Sequence, residues 1–195
     1  MTVGLLGGAF DPPHNGHLVL AQAALERFAL ERLLVVVTGE PPHKEVSTDP
    51  QTRYLLAEAA FRGRPRVELS RHELDTPGPS YTVETVRWAA GRYGDVIFLV
   101  GADEFASFLD WRDPQGVLRW ARLGVATRPG YPRERLETVL ARLERPDRVE
   151  LFEIEAVPVS STGVRDRVRR GEPIGGLVPD EVARLIAELG LYRSP

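Results

Sequence analysis

Short apolar runs alternate along this chain with longer segments whose apolar residues return every three to four positions, so strands and helices are predicted in turn. Thr2–Leu6 reads as a buried strand running into a tight turn at Gly7-Gly8. Gly16–Phe28 carries helical periodicity through Leu18, Leu20, Ala21, Ala24, Leu25 and Phe28, with Asn15 as its N-cap. Leu33–Val37 is a second buried strand. Residues 38–50, with three prolines and Gly39, are a loop. Gln51–Phe61 is then a helix and Arg66–Ser70 a strand. After the Thr76–Pro79 loop, Ser80 or Thr82 can cap a helix reaching about Gly91. Val96–Val100 is the clearest buried strand. It stops at Gly101, ahead of Asp103 and a short helical patch. Leu123–Ala126 and Val149–Ile154 read as strands and Arg133–Leu143 as a helix, and Ser160–Arg170 and Asp180–Leu189 as two closing helices.

Continuous apolar strands alternating with helices predict a parallel sheet covered on both faces, an α/β doubly wound fold with C-terminal helices. There is no internal repeat or flexible linker. The expectation is one domain over 1–195, with 160–195 as a closing helical segment and residues 169–179 as a candidate hinge.

Composition narrows the chemistry. A chain of 195 residues can bury roughly 70% of its unfolded surface without staples. The absence of cysteine excludes disulfides, thiolate metal sites and a cysteine nucleophile. The net charge of −3 argues against a general nucleic-acid binder, though not against a local cationic pocket. The longest aliphatic runs have five residues, far short of a membrane span, and residues 1–10 do not look like a signal peptide, so a cytoplasmic protein is expected. Of the 25 basic residues all but Lys44 are arginine, which singles out that lysine as a compact point charge. Sixteen prolines and few Asn and Met residues suit a heat-resistant protein, but genomic base bias produces the same pattern.

In doubly wound sheets ligands bind beyond the carboxyl ends of strands where the winding reverses. The first strand and Val96–Val100 are predicted neighbours there, and their ends carry the most unusual stretches: Gly7-Gly8-Ala9-Phe10-Asp11-Pro12-Pro13-His14-Asn15-Gly16-His17 and Gly101-Ala102-Asp103. Gly7 and Gly8 would let a ligand approach the backbone, whose N–H groups, with the following helix start, can bind an anion. His14 and His17, three apart at that start, can turn both rings to one ligand, and Gly16 removes a side chain that would crowd them. Two imidazoles beside backbone donors suit phosphate oxygens whose charge grows in a transition state. His-x-x-His could also be half of a metal site, but the other histidines, His43 and His72, lie elsewhere. Neither the P-loop nor the dinucleotide Gly-x-Gly-x-x-Gly spacing is present.

Ser160, Ser161 and Thr162 with Arg165 form a second constellation: one hydroxyl can cap the helix, and the set can grip phosphate through the Arg fork. Trp111 can stack on a flat ring or belong to the core, whereas Trp88 and Trp120 are assigned to packing. Asp103 can accept from ribose hydroxyls or cap a helix. His72, Arg112 and Asp113 suggest only surface or local pairing.

The first of these stretches resembles the signature of the nucleotidyltransferase superfamily with a His-x-Gly-His motif. Pro41-Pro42-His43-Lys44, Pro79–Thr85, Phe98–Asp103, Val159–Arg165 and the ending from Leu177 to Tyr192 make the chain similar to the bacterial nicotinate-mononucleotide adenylyltransferase family over essentially its whole length. Two departures are Ala9, where the family usually has Thr or Ser, and Gly163 in the helix start. The resemblance implies transfer of adenylate from ATP to nicotinate mononucleotide, with pyrophosphate released and Mg²⁺ carried by the phosphates, no nucleic acid or membrane partner and no protein-held metal; a homo-oligomer is left open. By the same resemblance His14, His17, Lys44 and Arg165 are catalytic. Gly7, Gly8, Ala9, Phe10, Gly101, Asp103, Ser160, Ser161 and Thr162 bind ATP, and Asp11, Thr82, Trp111 and Arg128 serve the acceptor. Two alternatives stand beside it: the same chemistry with another acceptor, such as phosphopantetheine or a polyol phosphate, and a non-catalytic nucleotide sensor.

Overall fold

Six strands form one parallel sheet because each is an apolar run that can be buried on both faces. The computed structural model describes residues 1–42, 46 and 48–193. In chain order the elements are β1 (Thr2–Gly8), α1 (Asn15–Arg27), β2 (Arg32–Val37), α2 (Pro50–Phe61), β3 (Val67–Ser70), α3 (His72–Asp75), α4 (Thr82–Tyr93), β4 (Asp95–Gly101), α5 (Ala102–Phe105), α6 (Pro114–Trp120), β5 (Arg122–Thr127), α7 (Arg133–Leu140), β6 (Val149–Glu153), α8 (Ser161–Arg169) and α9 (Asp180–Glu188). The sheet order is β3-β2-β1-β4-β5-β6, so the chain winds outward from β1 on one side and then crosses to β4 on the other. Leu5 lies opposite Leu34 of β2 and Phe98 of β4, which places the reversal between β1 and β4 as the sequence predicts.

Alternation along the strands divides the core into two layers. Leu33, Val35 and Val37 with Ile97 and Leu99 face α1, α2 and the buried residues of α8 and α9, Val164, Val182 and Ile186. Leu34 and Val36 with Val96, Phe98 and Val100 face α4, α5, α6 and α7 through Val86, Phe105, Leu118 and Leu136. The closing helices thus share the core beneath α1 and α2. No helix among the described residues is long and apolar enough to cross a membrane.

Several boundaries differ from expectation. β1 continues through Gly8, and the sharp change of direction falls at Phe10, whose φ of 51° is left-handed. His14, not Asn15, is the N-cap of α1; the Asn15 side chain instead donates to the Gly176 carbonyl. Neither Ser80 nor Thr82 caps α4, because its N-cap is Tyr81 and the Ser80 hydroxyl receives the Gly39 and Glu40 N–H groups. α4 reaches Tyr93, and α7 stops at Leu140, short of the expected Leu143. α3 and α6 were not foreseen, although Asp113 followed by Pro114 is a legible helix start and the Asp113 carboxylate does accept from Gly116 N–H. Trp120 is not core: it is 43% exposed, with the Arg87 guanidinium 5.9 Å from its ring centroid. Trp88 does pack, stacked 3.9 Å from His72.

Candidate active site

The carboxyl ends of β1 and β4 open into a cavity of about 500 Å³. Gly7, Gly8, Ala9, Phe10, Asp11, His14 and His17 line it on one side. Gly101, Asp103, Trp111 and Arg128 line another, and Ser160, Ser161 and Arg165 close it from the start of α8. Most of the candidate residues are therefore brought to one place. Thr82 and Thr162 are not on its wall, and Lys44 lies outside the described residues.

The two histidines are held as a pair. The backbone N–H of His14 donates to Nδ1 of His17 at 3.1 Å, and the rings stack with centroids 3.8 Å apart. The edge of Phe10 meets the His17 ring at 5.0 Å. Because Nδ1 accepts, the proton of the neutral ring sits on Nε2, which makes Nε2 a donor. Gly16 suits this packing: a Cβ would lie 3.1 Å from the His14 ring, a tight contact. Gly7 and Gly8 line the cavity, and a Cβ at either would also press on the ring of Phe98 or Phe10 at 3.2 Å. Glycine at these two positions lets the protein's own aromatic residues close under the strand end.

The histidine loop is tied to the far end of the chain. Arg165 donates to the Asp11 carbonyl at 2.6 Å and to Thr162 Oγ1 at 3.2 Å, and Ser161 Oγ donates to the Pro12 carbonyl at 2.9 Å. Ser160 supplies the ordinary cap of α8 by accepting from Gly163 N–H. The Asp11 carboxylate, 3% exposed as a residue, accepts from the Tyr192 hydroxyl at 2.6 Å. Burial, with that contact, pushes the Tyr192 phenol well above its usual range, so it stays a donor.

At the opposite rim the Arg128 guanidinium lies 3.6 Å from the Asp103 carboxylate, both exposed, and Tyr131 stands beside them. Burial, and then the Asp103 charge, raise the Tyr131 phenol. Trp111 presents its ring edge-on to Phe98 at 6.2 Å and Phe108 at 5.3 Å. Its neighbour Arg112 sits 4.2 Å over the Tyr81 ring, which joins the Trp111 turn to the start of α4 and so to Thr82.

Sequence reasoning missed Arg53. It is fully buried and donates to the carbonyls of Thr48, Ala9, Thr38 and Gly39. The signal was available: Arg53 shares the apolar face of α2 with Leu56, Ala57 and Ala60 at helical spacing, where a charge is out of place. Among the described residues no group of three His, Asp or Glu side chains forms a metal-ligand set.

The fold and this cavity define an α/β protein with its cleft at the reversal of the sheet, and a model of the cytidylyltransferase-like family matches residues 5–167. A probable nicotinate-nucleotide adenylyltransferase of Rubrobacter xylanophilus is 40% identical, aligned over 100% of this chain and 93% of its own length. That of Moorella thermoacetica is 42% identical over 98% of this chain and 91% of its own. The chain belongs to the cytidylyltransferase-like nucleotidyltransferases and, within them, to the nicotinate-nucleotide adenylyltransferase family. Plasmodium falciparum nicotinic acid mononucleotide adenylyltransferase, in a structure complexed with NaAD, shares the fold with a TM-score of 0.79 at 15% identity, covering 98% of this chain and 97% of that one.

Glu73 behind the cavity provides a pH prediction. Its carboxyl accepts from Thr85 Oγ1 at 2.5 Å, and burial raises its pKa against the pull of Thr85, Ser80 and the Arg53 charge. The folded protein then holds this proton more tightly than the unfolded chain, whose glutamates titrate near ~4.3. The contribution is complete below that value and lost as pH rises through the raised one. Wild-type stability relative to Glu73→Gln, measured by urea unfolding, should therefore decline from pH 4 toward neutrality; a constant difference would contradict the shift.

Proposed function

We propose that this protein transfers the adenylyl group of ATP to nicotinate mononucleotide, forming nicotinate adenine dinucleotide and pyrophosphate. The observation that carries this reading is the locked His14–His17 pair on the wall of a cavity that Arg165 and Trp111 also line. The family and the relatives' names support the acceptor.

In this reading an oxygen of the acceptor phosphate attacks the α-phosphorus of ATP in line. One P–O bond forms there as the bond to the β-phosphate bridging oxygen breaks, and the electron pair leaves with pyrophosphate. The nucleophile is already an anion, so no general base and no covalent enzyme intermediate are required. The protein's task is placement and stabilisation of growing phosphate charge. His17 Nε2–H and His14 serve the α-phosphate and its neighbours, together with backbone N–H groups of Gly8, Ala9 and Phe10. A missing hydroxyl at Ala9 leaves those backbone donors in place. Arg165, held by Asp11 and Thr162 through only part of its five-donor fork, has further N–H groups for the β- and γ-phosphates, next to Ser161 at the start of α8. Gly101 and Asp103 take the adenosine side, with Lys44 assigned to the phosphates.

Mg²⁺ carried by the ATP phosphates would offset their charge. Trp111 stacks on the pyridine ring. Thr82 at the start of α4 stands off the cavity wall, and in this reading the helix start there is assigned to the nicotinate carboxylate, an interaction a neutral nicotinamide would gain less from. Arg128 flanks this rim.

The deciding experiment is pyrophosphate release from ATP and Mg²⁺ with nicotinate mononucleotide, nicotinamide mononucleotide, phosphopantetheine or no acceptor. Selective turnover of the first supports the reading. Turnover with another acceptor keeps the chemistry and overturns the roles of Thr82 and Trp111, and ATP binding without release favours a sensor. His17→Ala should lower kcat by roughly 10²–10³ with the fold retained, the scale of one lost oxyanion donor; a near-normal rate would remove His17 from the transition state. Trp111→Ala should raise the acceptor KM about tenfold, as expected for a lost ring stack of ~1–3 kcal/mol, and unchanged KM would return Trp111 to the core.

A further inference from the structure

Arg53 is an expensive residue to bury. A guanidinium removed from water needs compensation, and at an inward position of α2 an apolar side chain such as its neighbours Leu56 and Ala57 would serve packing better. Its partners are four carbonyl oxygens: Nε donates to Thr48 at 3.0 Å, one terminal nitrogen to Ala9 at 3.0 Å and Thr38 at 2.6 Å, and the other to Gly39 at 2.8 Å. Those carbonyls belong to the end of β1, the exit of β2 and the entry to α2. What the planar fork supplies is the orientation of peptide groups.

A trans peptide points its C=O and the next N–H in opposite directions. Drawing the Thr38 and Gly39 carbonyls toward Arg53 turns the N–H groups of Gly39 and Glu40 the other way, and both are received by Ser80 Oγ, at 3.2 and 3.3 Å. The Ser80 N–H returns a bond to the Glu40 carbonyl at 2.9 Å. Residues 38–40 are thus pinned from both sides. Gly39 is required between them, since a Cβ would collide with the Glu73 carbonyl. The same fork, by holding the Ala9 carbonyl, turns the Phe10 N–H away from Arg53, and Ala9 and Phe10 are part of the cavity wall. Ser80 lies two residues before α4.

We propose that Arg53 and Ser80 form a clamp on residues 38–40 that fixes the cavity wall at Ala9 relative to the start of α4, which the reading above gives to the acceptor. Arg53 is then a positioning residue for the adenylyl transfer, an inference that rests on the reaction proposed above. A misplacement of the two reactants affects the chemical step more than the binding of either one.

The test compares Arg53→Lys, Ser80→Ala, Ser80→Thr and the Arg53→Lys/Ser80→Ala double variant with wild type, by kcat and both KM values, with thermal melting as the check on folding. Arg53→Lys should melt cooperatively and lose at least about tenfold in kcat, with either KM changed less than about threefold. Ser80→Ala should lose about three- to tenfold, and Ser80→Thr, which keeps the accepting oxygen, should recover most of it. The double variant should be no slower than Arg53→Lys within about twofold, because both groups act on one segment. Wild-type kcat in folded variants, a loss confined to melting temperature, a change mainly in KM, or multiplicative losses would each overturn the clamp. Where Arg53→Lys does not fold, Ser80→Ala and Ser80→Thr decide. A wild-type protein that releases no pyrophosphate with any acceptor would instead overturn the proposed reaction, and with it the clamp as a device for that reaction.

Discussion

Everything in this molecule depends on β1 being hydrogen-bonded on both sides by parallel partners, β2 and β4, that the chain reaches in opposite winding directions. A parallel strand needs a crossover to each neighbour, and the connections leaving β1 and β4 diverge to opposite faces. A cleft at the carboxyl ends of these two strands follows from topology alone. The deep apolar burial of Val3, Leu5 and Leu6 holds β1 in register, so the residues after Gly8 emerge at the cleft whatever their chemistry.

Beyond the His14–His17 pair, that loop is held largely from elsewhere. Phe10 is forced into a left-handed conformation, and the loop's polar groups find partners far along the chain. Asp11 is held by Tyr192, the Asp11 and Pro12 carbonyls by Arg165 and Ser161, and Asn15 by Gly176 and Leu177. The closing helices share a core with α1 and α2, so these hydrogen bonds are made by a rigid partner. Local strain at a loop persists when surrounding structure over-determines it, and here the surrounding structure is the last part of the chain.

This arrangement explains what could be read from the sequence and what could not. The order of the strands and longer helices was legible because each carries its own period, which the short α3 and α6 do not, and the cleft was legible because glycine, proline and histidine cluster where β1 ends. The neighbouring of β1 and β4 followed from the fold class. Arg53 and Tyr192 were not singled out, because their roles exist only through partners in other segments: 44 residues separate Arg53 from Ala9, and 181 separate Tyr192 from Asp11. Ser80 was misread for a related reason. A hydroxyl ahead of a helix is normally a cap, but here two backbone N–H groups from the 38–40 segment reach it first.

The distribution of positive charge suits the proposed chemistry. A phosphoryl-transfer site must attract triphosphate without holding pyrophosphate so firmly that release becomes slow, and fixed dipoles meet that demand better than a ring of exposed cations. Among the described residues Arg53 donates to backbone carbonyls, and Arg165 is partly committed to the Asp11 carbonyl and Thr162, so in the proposed chemistry both cations orient groups as well as supplying charge. In that chemistry His17, whose Nδ1 receives the His14 N–H, acts as a donor through Nε2. If the backbone grips phosphate as proposed, alanine at position 9 costs little, because the Phe10 N–H is oriented through the Ala9 carbonyl by the buried Arg53 guanidinium and not by a side chain.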